Sequence, residues 1–121
     1  MINNQNKKEY NLEERTFTFA KNVRLFVKTL PKTIANKEDI KQLIRSSGSV
    51  GSNYREANEA LSKNDFLMRI KISRKESKES AYWIRLIYET NNLHNKSDAK
   101  NLLQESTELT KIFSSIVEKI K

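Results

Sequence analysis

Residues 65–90 read DFLMRIKISRKESKESAYWIRLIYET and contain neither glycine nor proline, so nothing in this stretch interrupts a helix. Apolar and small residues recur in it at spacings of three and four, which places them along one helical face. They are Phe66, Ile70, Ser73, Ser77, Ala81, Ile84 and Tyr88. The period predicts one long amphipathic helix with a buried face.

Two further faces of this helix carry a different chemistry. One is a basic stripe with the same period, formed by Lys71, Arg74, Lys75, Lys78 and Arg85. The other is a mixed strip of apolar residues and carboxylates, formed by Ile72, Glu76, Glu79, Trp83 and Leu86. A helix with three distinct faces is predicted to make contacts beyond its own core.

The chain before this helix predicts an arm and a first helix. Residues 1–10 are polar and unpatterned, which predicts a flexible N-terminal arm followed by one domain over residues 11–121. Asn11 is a suitable N-cap, and Pro31 ends the helix because the residue before a proline is disfavoured in the α region. The apolar stripe is Phe19, Ala20, Val23, Phe26, Val27 and Leu30.

A second helix is predicted from an N-cap at Asn36 to about Leu61. Its buried face would be Ile40, Leu43, Ile44, Ser47, Val50, Tyr54, Ala57 and Leu61. The run at 46–52, SSGSVGS, is poor for a helix because each glycine costs about 1 kcal/mol relative to alanine. The apolar spacing nevertheless continues in phase across the run, so a helix is favoured over a loop.

The remaining chain completes the architecture. Ser62 and Asp65 resemble a capping box that starts the long helix, and Asn91 and Asn92 suit its end. A last helix is predicted from Ser97 onward, with an apolar stripe of Leu102, Leu103, Ser106, Leu109, Ile112, Phe113, Ile116, Val117 and Ile120. Four amphipathic helices with short connections predict an all-α, up-down-up-down four-helix bundle.

Composition limits the classes of function. The 121 residues contain no cysteine and one histidine, which excludes disulfides, thiolate metal sites and multi-histidine metal sites. The N-terminal sequence lacks the apolar run of a signal peptide, and no stretch is apolar enough to span a membrane, so a cytoplasmic protein without a membrane partner is expected. Twenty-three Lys and Arg against fifteen Asp and Glu give a net charge of +8. This charge suits a phosphate or acidic partner, and it equally suits simple solubility.

The chain offers little support for catalysis. Glu76 and Glu79 lie on one helical face beside Trp83, but no histidine follows them at the spacing of a di-iron site. We therefore interpret both carboxylates as ion-pair partners of Arg or Lys on a neighbouring helix or subunit. Ser49, Asn53 and Glu56 are expected to form a register-fixing polar cluster against Glu76 or Arg74. With no nucleophile elbow and no phosphate loop, we expect no enzyme, no cofactor and no metal.

The basic stripe is the best candidate for a function. Lys21, Arg24 and Lys28 form a second basic strip on the first helix. Lys and Arg along one side of a helix neutralise phosphates with little sequence preference, and Tyr82 lies within reach to stack on an unpaired base. The alternative is a solvated face whose long side chains cover apolar neighbours.

Residues 42–57, QLIRSSGSVGSNYREA, carry a family resemblance. The stretch resembles the "four helix bundle protein" family, also called the 23S rRNA intervening-sequence proteins, which typically show Q-x-x-R-A-A-x-S-I-P-x-N-I-A-E-G there. The matching positions are Gln42, Arg45, Ser49, Asn53 and Glu56, whereas Gly51 replaces the usual proline and Tyr54, Arg55 and Ala57 replace Ile, Ala and Gly. Residues 65–86 are similar to one branch of the same family.

The resemblance implies a ring-like homopentamer encoded within insertions in bacterial 23S rRNA genes. A related group, the accessory variability proteins of diversity-generating retroelements, binds a reverse transcriptase and nucleic acid through basic surfaces. A ring needs complementary subunit surfaces, and we assign the strip of Glu76, Glu79 and Trp83 to one of them. The first hypothesis is thus an oligomeric bundle that binds RNA or DNA through basic helix faces. The alternative is a scaffold that docks a partner protein, such as a reverse transcriptase, without direct nucleic-acid binding.

Overall fold

The computed structural model describes residues 11–121, and within them the chain forms four α-helices and no β-strand. The helices are α1 (Leu12–Val27), α2 (Ile34–Asn58), α3 (Lys63–Thr90) and α4 (Lys96–Ile120). The predicted all-α class and the number of helices are confirmed. The predicted flexible arm at residues 1–10 lies outside the described residues.

The four helices pack in the order in which they occur. Contacts join α1 to α2, α2 to α3, α3 to α4 and α4 back to α1, with α2–α3 the most extensive pair and α4–α1 the least. Helices α1 and α3 lie on a diagonal, as do α2 and α4. Ser46 meets Ser80 and Asn53 meets Arg69, so α2 and α3 run antiparallel. This packing is that of a four-helix bundle.

The apolar core fills the space between the four helices. Its most buried large side chains, at most 1% exposed, are Phe19, Val23, Leu43, Val50, Ile70, Ile84, Ile87, Leu109 and Phe113. The rings of Tyr54 and Phe113 meet across the α2–α4 diagonal with centroids 5.9 Å apart. The prediction that Leu61 is buried is wrong: α2 ends at Asn58, and Leu61 is 99% exposed in the connection before α3.

The helix starts follow side-chain capping. Asn11 Oδ1 accepts from Glu14 N at 3.2 Å and Ser62 Oγ accepts from Asp65 N at 3.1 Å, which confirms both predicted caps. The prediction that Asn36 caps α2 is wrong, because Thr33 Oγ1 accepts from Asn36 N at 3.1 Å and α2 begins at Ile34. Helix α4 begins one residue before the predicted Ser97.

Asn36 instead forms part of the buried contact between α2 and α3. It is 2% exposed, and its Nδ2 donates to Asn91 Oδ1 at 2.8 Å. Asn91 Nδ2 donates back to Asn36 Oδ1 at 2.9 Å. The two amides therefore tie the start of α2 to the end of α3.

The glycine run of α2 is helical, as predicted, and it lies against α1. A Cβ atom on Gly51 would lie 2.9 Å from Thr16 Oγ1, and one on Gly48 would lie 3.3 Å from Arg24 Nη2. Small residues on one helix let a neighbouring helix approach closely. Gly51 is thus required by the close packing of α1 on α2.

Ser46 of the same run faces α3, and serines form hydrogen bonds between the two helices. Ser46 Oγ and Ser80 Oγ are 2.9 Å apart, and Ser73 Oγ donates to Val50 O at 2.9 Å. All three serines are fully buried. Their hydroxyl groups are paired, so this polar contact avoids the cost of unsatisfied buried groups.

Candidate nucleic-acid interface

The middle of α3 presents a group of cations that we call the α3 basic face: Lys71, Arg74, Lys75 and Lys78. Lys71, Lys75 and Lys78 are exposed, and Arg74 is half-buried. None of the four makes an ion pair with any carboxylate in residues 11–121, although α3 itself carries three glutamates and one aspartate.

 The acidic residues of α3 are Asp65, Glu76, Glu79 and Glu89, and of these Glu79 and Glu89 pair with cations outside the face. The α3 basic face therefore keeps its full positive charge.

The spacing of these cations has an energetic consequence. Lys71 and Lys75 are four residues apart, as are Arg74 and Lys78, so like charges adjoin on the helix surface. Each like-charge pair at this spacing destabilises a helix by about 0.2–0.5 kcal/mol. A bound anion relieves this repulsion, because each phosphate or carboxylate places a negative charge between the cations.

Arg85, the fifth cation of the predicted stripe, differs from the other four. Its Nε donates to Glu89 Oε2 at 2.8 Å on the same exposed helix surface. This hydrogen bond raises the pKa of Arg85, so the guanidinium stays charged while Glu89 neutralises it locally. We leave Arg85 out of the α3 basic face for this reason.

Exposed apolar side chains flank the α3 basic face at both ends. Met68 is 52% exposed and Tyr82 is 58% exposed. The Tyr82 ring stands edge-on to Trp83, with centroids 5.0 Å apart and an interplanar angle of 80°. Asn64, Leu67, Met68, Lys71, Ile72 and Lys75 line a shallow depression of about 490 Å³ next to Met68. The arrangement offers cations for phosphates and an aromatic ring for a base.

The second predicted basic strip, Lys21, Arg24 and Lys28, lies on a different side of the bundle. All three residues are exposed on α1, which is diagonal to α3. Arg24 turns back toward the protein, where Nη1 donates to Ala20 O at 3.0 Å and Nη2 to Ile44 O at 3.5 Å. Within one chain the α1 strip and the α3 basic face do not form a continuous surface.

The predicted polar cluster of α2 forms only in part, between Ser49 and Asn53, and with another partner on α3. Asn53 Nδ2 donates to Ser49 Oγ at 2.9 Å, and Arg69 Nη1 donates to Asn53 Oδ1 at 3.0 Å. The partner on α3 is thus Arg69, where we expected Glu76 or Arg74. Glu56 is exposed and makes no side-chain hydrogen bond within residues 11–121.

The two carboxylates of the mixed strip have different surroundings. Glu79 accepts from Arg45 Nη2 at 3.3 Å, so it has a cationic partner on a neighbouring helix. Glu76 is only 8% exposed, and neither its Oε1 nor Trp83 Nε1 has a hydrogen-bond partner in the described part of the chain. A buried polar atom without a partner costs about 1–3 kcal/mol. One acceptor, Glu76 Oε1, and one donor, Trp83 Nε1, therefore remain unpaired in this strip within the described residues.

The sequence did not predict one ionic cluster, which joins α1 to α4. Arg15 is 8% exposed and donates to Glu105 through Nε and Nη2, both at 2.8 Å, and to Glu108 through Nη2 at 2.8 Å. The hydrogen bonds to Glu105 raise the pKa of Arg15. A signal existed in the sequence, because Arg15 falls between Leu12 and Phe19 on the buried face of α1. Its partners on α4 follow only from the fold.

Residues 11–121 lack two other features, a side-chain cluster suited to a metal ion and a helix suited to a membrane. No group of three or more His, Cys, Asp or Glu side chains is arranged to hold a metal ion there. No helix in the same residues combines the length and apolar character needed to cross a membrane.

Comparison with known proteins decides the family. The model of the 23S rRNA-intervening sequence proteins matches residues 8–115, which is most of the chain. The chain belongs to this family. Among curated proteins, none matches it significantly. The family match agrees with the resemblance carried by the Gln42, Arg45, Ser49, Asn53 and Glu56 pattern.

A solved structure shows the same fold. It is the crystal structure, at 1.70 Å resolution, of a protein with unknown function from the S23 ribosomal protein family of Bacteroides thetaiotaomicron VPI-5482. The two sequences are 30% identical, and the match covers 87% of this chain and 96% of the other, with a TM-score of 0.74. The fold of this chain is thus shared with a solved protein of the S23 ribosomal protein family.

Proposed function

We propose that this protein is a non-enzymatic nucleic-acid-binding bundle whose α3 basic face contacts the phosphates of structured RNA or DNA. One observation carries the proposal: four adjacent cations on one exposed face have no carboxylate partner in residues 11–121. Cations that neutralise phosphates release counterions, which supplies most of the affinity of sequence-independent binding. Tyr82 adds an exposed ring, and stacking of a base on an aromatic side chain contributes about 1–3 kcal/mol.

The experiment is a fluorescence-anisotropy titration of a labelled, structured RNA with the full chain at low and at physiological salt. The variant in which Lys71, Arg74, Lys75 and Lys78 are changed together to Ala removes the α3 basic face. We expect salt-sensitive binding by the parent protein and its loss in this variant. An absence of binding by the parent protein at low salt would contradict the proposal.

We also propose that the protein acts as a homo-oligomer, with the pentamer implied by the family resemblance as the expected state. Glu76 and Trp83 support a subunit contact at the α2–α3 side, since each has a buried polar atom that lacks a partner in residues 11–121. Neither atom is accessible in the monomer, so both side chains have to rotate before a neighbouring subunit supplies those partners. Light scattering on the purified protein measures the mass and so counts the subunits.

A second candidate function is an adaptor that docks a partner protein, such as a reverse transcriptase, without contacting nucleic acid itself. The observation that favours it is the exposure of Phe17 and Leu25 on α1, at 58% and 51%. Apolar side chains of this size contribute to protein interfaces and not to phosphate recognition. The salt dependence of the affinity distinguishes the two functions. Phosphate binding weakens steeply with added salt, whereas a protein contact with an apolar centre weakens far less.

A further inference from the structure

A groove runs between α1 and α2 on the side of the bundle that carries the α1 basic strip. Its volume is about 480 Å³. The floor and walls are formed by Thr16, Phe17, Ala20, Leu25, Gly48 and Gly51. Gly51 packs against Thr16, whereas the space above Gly48 is covered by the end of the exposed Arg24 side chain, which an incoming apolar group has to displace.

The walls of the groove carry the large exposed apolar side chains of α1. Phe17 and Leu25 are more than half exposed and stand eight residues apart. At 1.5 Å per residue this spacing is about 12 Å, or roughly two turns of a helix. A segment that covers both side chains must therefore be extended along α1 for at least this distance.

The rim of the groove is positive. Lys21, Arg24 and Arg55 line it, and the one carboxylate among its lining residues is Glu13. Glu13 is engaged by Arg55 at 3.6 Å and by Asn58 Nδ2 at 2.8 Å. Turning the Arg24 guanidinium toward a ligand breaks its hydrogen bonds to Ala20 O at 3.0 Å and to Ile44 O at 3.5 Å, both at an exposed site where water or the ligand replaces them.

We propose that the α1–α2 groove docks an acidic amphipathic helix of a partner protein. Apolar side chains of that helix cover Phe17 and Leu25 and enter the space above Gly48, while its Asp and Glu residues meet Lys21 and Arg24. Burial of amphipathic helices in apolar grooves is a recurring mode of recognition. Phe17 offers a ring to one base, but Leu25 and the glycine floor offer nothing to a phosphate or to a second base, so a nucleic acid fits this groove less well. The proposal names the partner and the site of the second candidate function and rests on it.

The test uses the full chain and a fluorescein-labelled probe peptide of about 18 residues, or five helical turns. The probe carries Leu at helical spacings of three and four, with Glu on both flanks of that stripe. A peptide of the same composition in scrambled order is the control probe. Phe17→Ser with Leu25→Ser removes the walls, and Met68→Ser removes an equally exposed apolar side chain from α3 as the matched control.

We expect the patterned peptide to bind the parent protein and Met68→Ser with the same affinity. Its affinity for the double variant should be at least about tenfold lower, which is a loss of about 1.4 kcal/mol of binding free energy. Circular dichroism of the double variant should match the parent protein, since both altered side chains are exposed. Equal binding of the scrambled peptide, or undiminished binding to the double variant, would overturn the proposal. A change of oligomeric mass in the double variant would also overturn it, because the groove would then be a contact between copies.

The same variants distinguish peptide binding at the groove from RNA binding at the α3 basic face. Phe17→Ser with Leu25→Ser should leave RNA binding unchanged, and the Ala variant of the α3 basic face should leave peptide binding unchanged. If the double variant lost RNA binding and the parent protein showed no peptide binding, the groove would be a nucleic-acid site and the proposal would be wrong.

Discussion

The Oγ1 atom of Thr16 on α1 lies 2.9 Å from the position that a Cβ atom on Gly51 of α2 would occupy. Thr16 is held there by its own hydrogen bonds, since Oγ1 donates to Leu12 O at 2.7 Å and lies 3.1 Å from Glu13 O. A residue with a side chain at position 51 would therefore have to move α1 or break these contacts. This relationship sets the distance between the first two helices.

Gly51→Ala is expected to lower the free energy of unfolding by up to about 2 kcal/mol. Overpacking costs about 1–3 kcal/mol, and the higher helix propensity of Ala offsets about 1 kcal/mol of it. Urea denaturation followed by circular dichroism measures the change. Gly48→Ala is the matched control: the atom it would meet is the movable end of Arg24, 3.3 Å away, so no loss is expected.

A second substitution tests whether Thr16 is the cause. Thr16→Ala removes the atom closest to the new Cβ, so Gly51→Ala should cost less in the Thr16→Ala protein than in the parent protein. A double-mutant cycle measures this coupling. Equal costs in both backgrounds would show that the contact with Thr16 does not limit position 51.

Asn36→Asp is expected to destabilise the protein. Asp would serve as well as Asn if the residue acted as a helix cap. Asn36 Nδ2, however, donates to Pro31 O and to Asn91 Oδ1. In Asp a carboxylate oxygen replaces this donor and lies against two other acceptor oxygens. We expect a loss of about 1–3 kcal/mol, which a thermal melt at neutral pH detects. Asn36→Asp with unchanged stability would mean that the side chain acts as a cap after all.

Arg15→Met is expected to lower the free energy of unfolding by about 1–3 kcal/mol, because Glu105 loses both hydrogen bonds that it accepts from Arg15. The loss stays below that of a fully buried pair because the Glu105 and Glu108 side chains, 21% and 45% exposed, reach water. Arg15→Lys, which keeps the charge but cannot form the paired hydrogen bonds, should give an intermediate value.

The contribution of Arg15 to the free energy of unfolding should also be independent of pH near neutrality. Its pKa is raised above an ordinary value that is already far above neutral pH, mainly by the hydrogen bond to Glu105. A raised pKa adds stability that is present below the unfolded-state pKa and is lost only as pH rises through the folded-state value. The difference in stability between the parent protein and Arg15→Met should therefore stay constant between about pH 7 and pH 9. A difference that shrank across this range would show that the guanidinium is not the group responsible.

Much of the fold follows from local signals in the sequence. The three- and four-residue spacing of apolar residues and the caps at Asn11 and Ser62 place the helices, because both depend on neighbours within one or two turns. Asn36 was misassigned because it and Thr33 are both good caps. Its partner Asn91 is 55 residues away, which no local pattern reveals. Leu61 was misassigned because the apolar period was extended past the end of α2.

The candidate site was predictable in part. The outward position of Lys71, Lys75 and Lys78 follows from the helical period. Whether a carboxylate neutralises each of these cations depends on the residues around it. The Arg85–Glu89 pair has the four-residue spacing of a helical ion pair and was visible in the sequence. The Arg15 cluster and the groove beside Gly48 depend on which helices adjoin, so only the three-dimensional structure shows them.

The most direct measurement of the central claim is the salt dependence of RNA binding for two variants with the same loss of charge. One changes Lys71, Lys75 and Lys78 to Ala on α3, and the other changes Lys21, Arg24 and Lys28 to Ala on α1. Each phosphate contact adds about −0.9 to the slope of log affinity against log salt for duplex DNA and about −0.7 for single strands. The account predicts a slope reduced by about two to three in the α3 variant and nearly unchanged in the α1 variant. Equal slopes for the parent protein and the α3 variant would contradict it, and so would a reduction confined to the α1 variant.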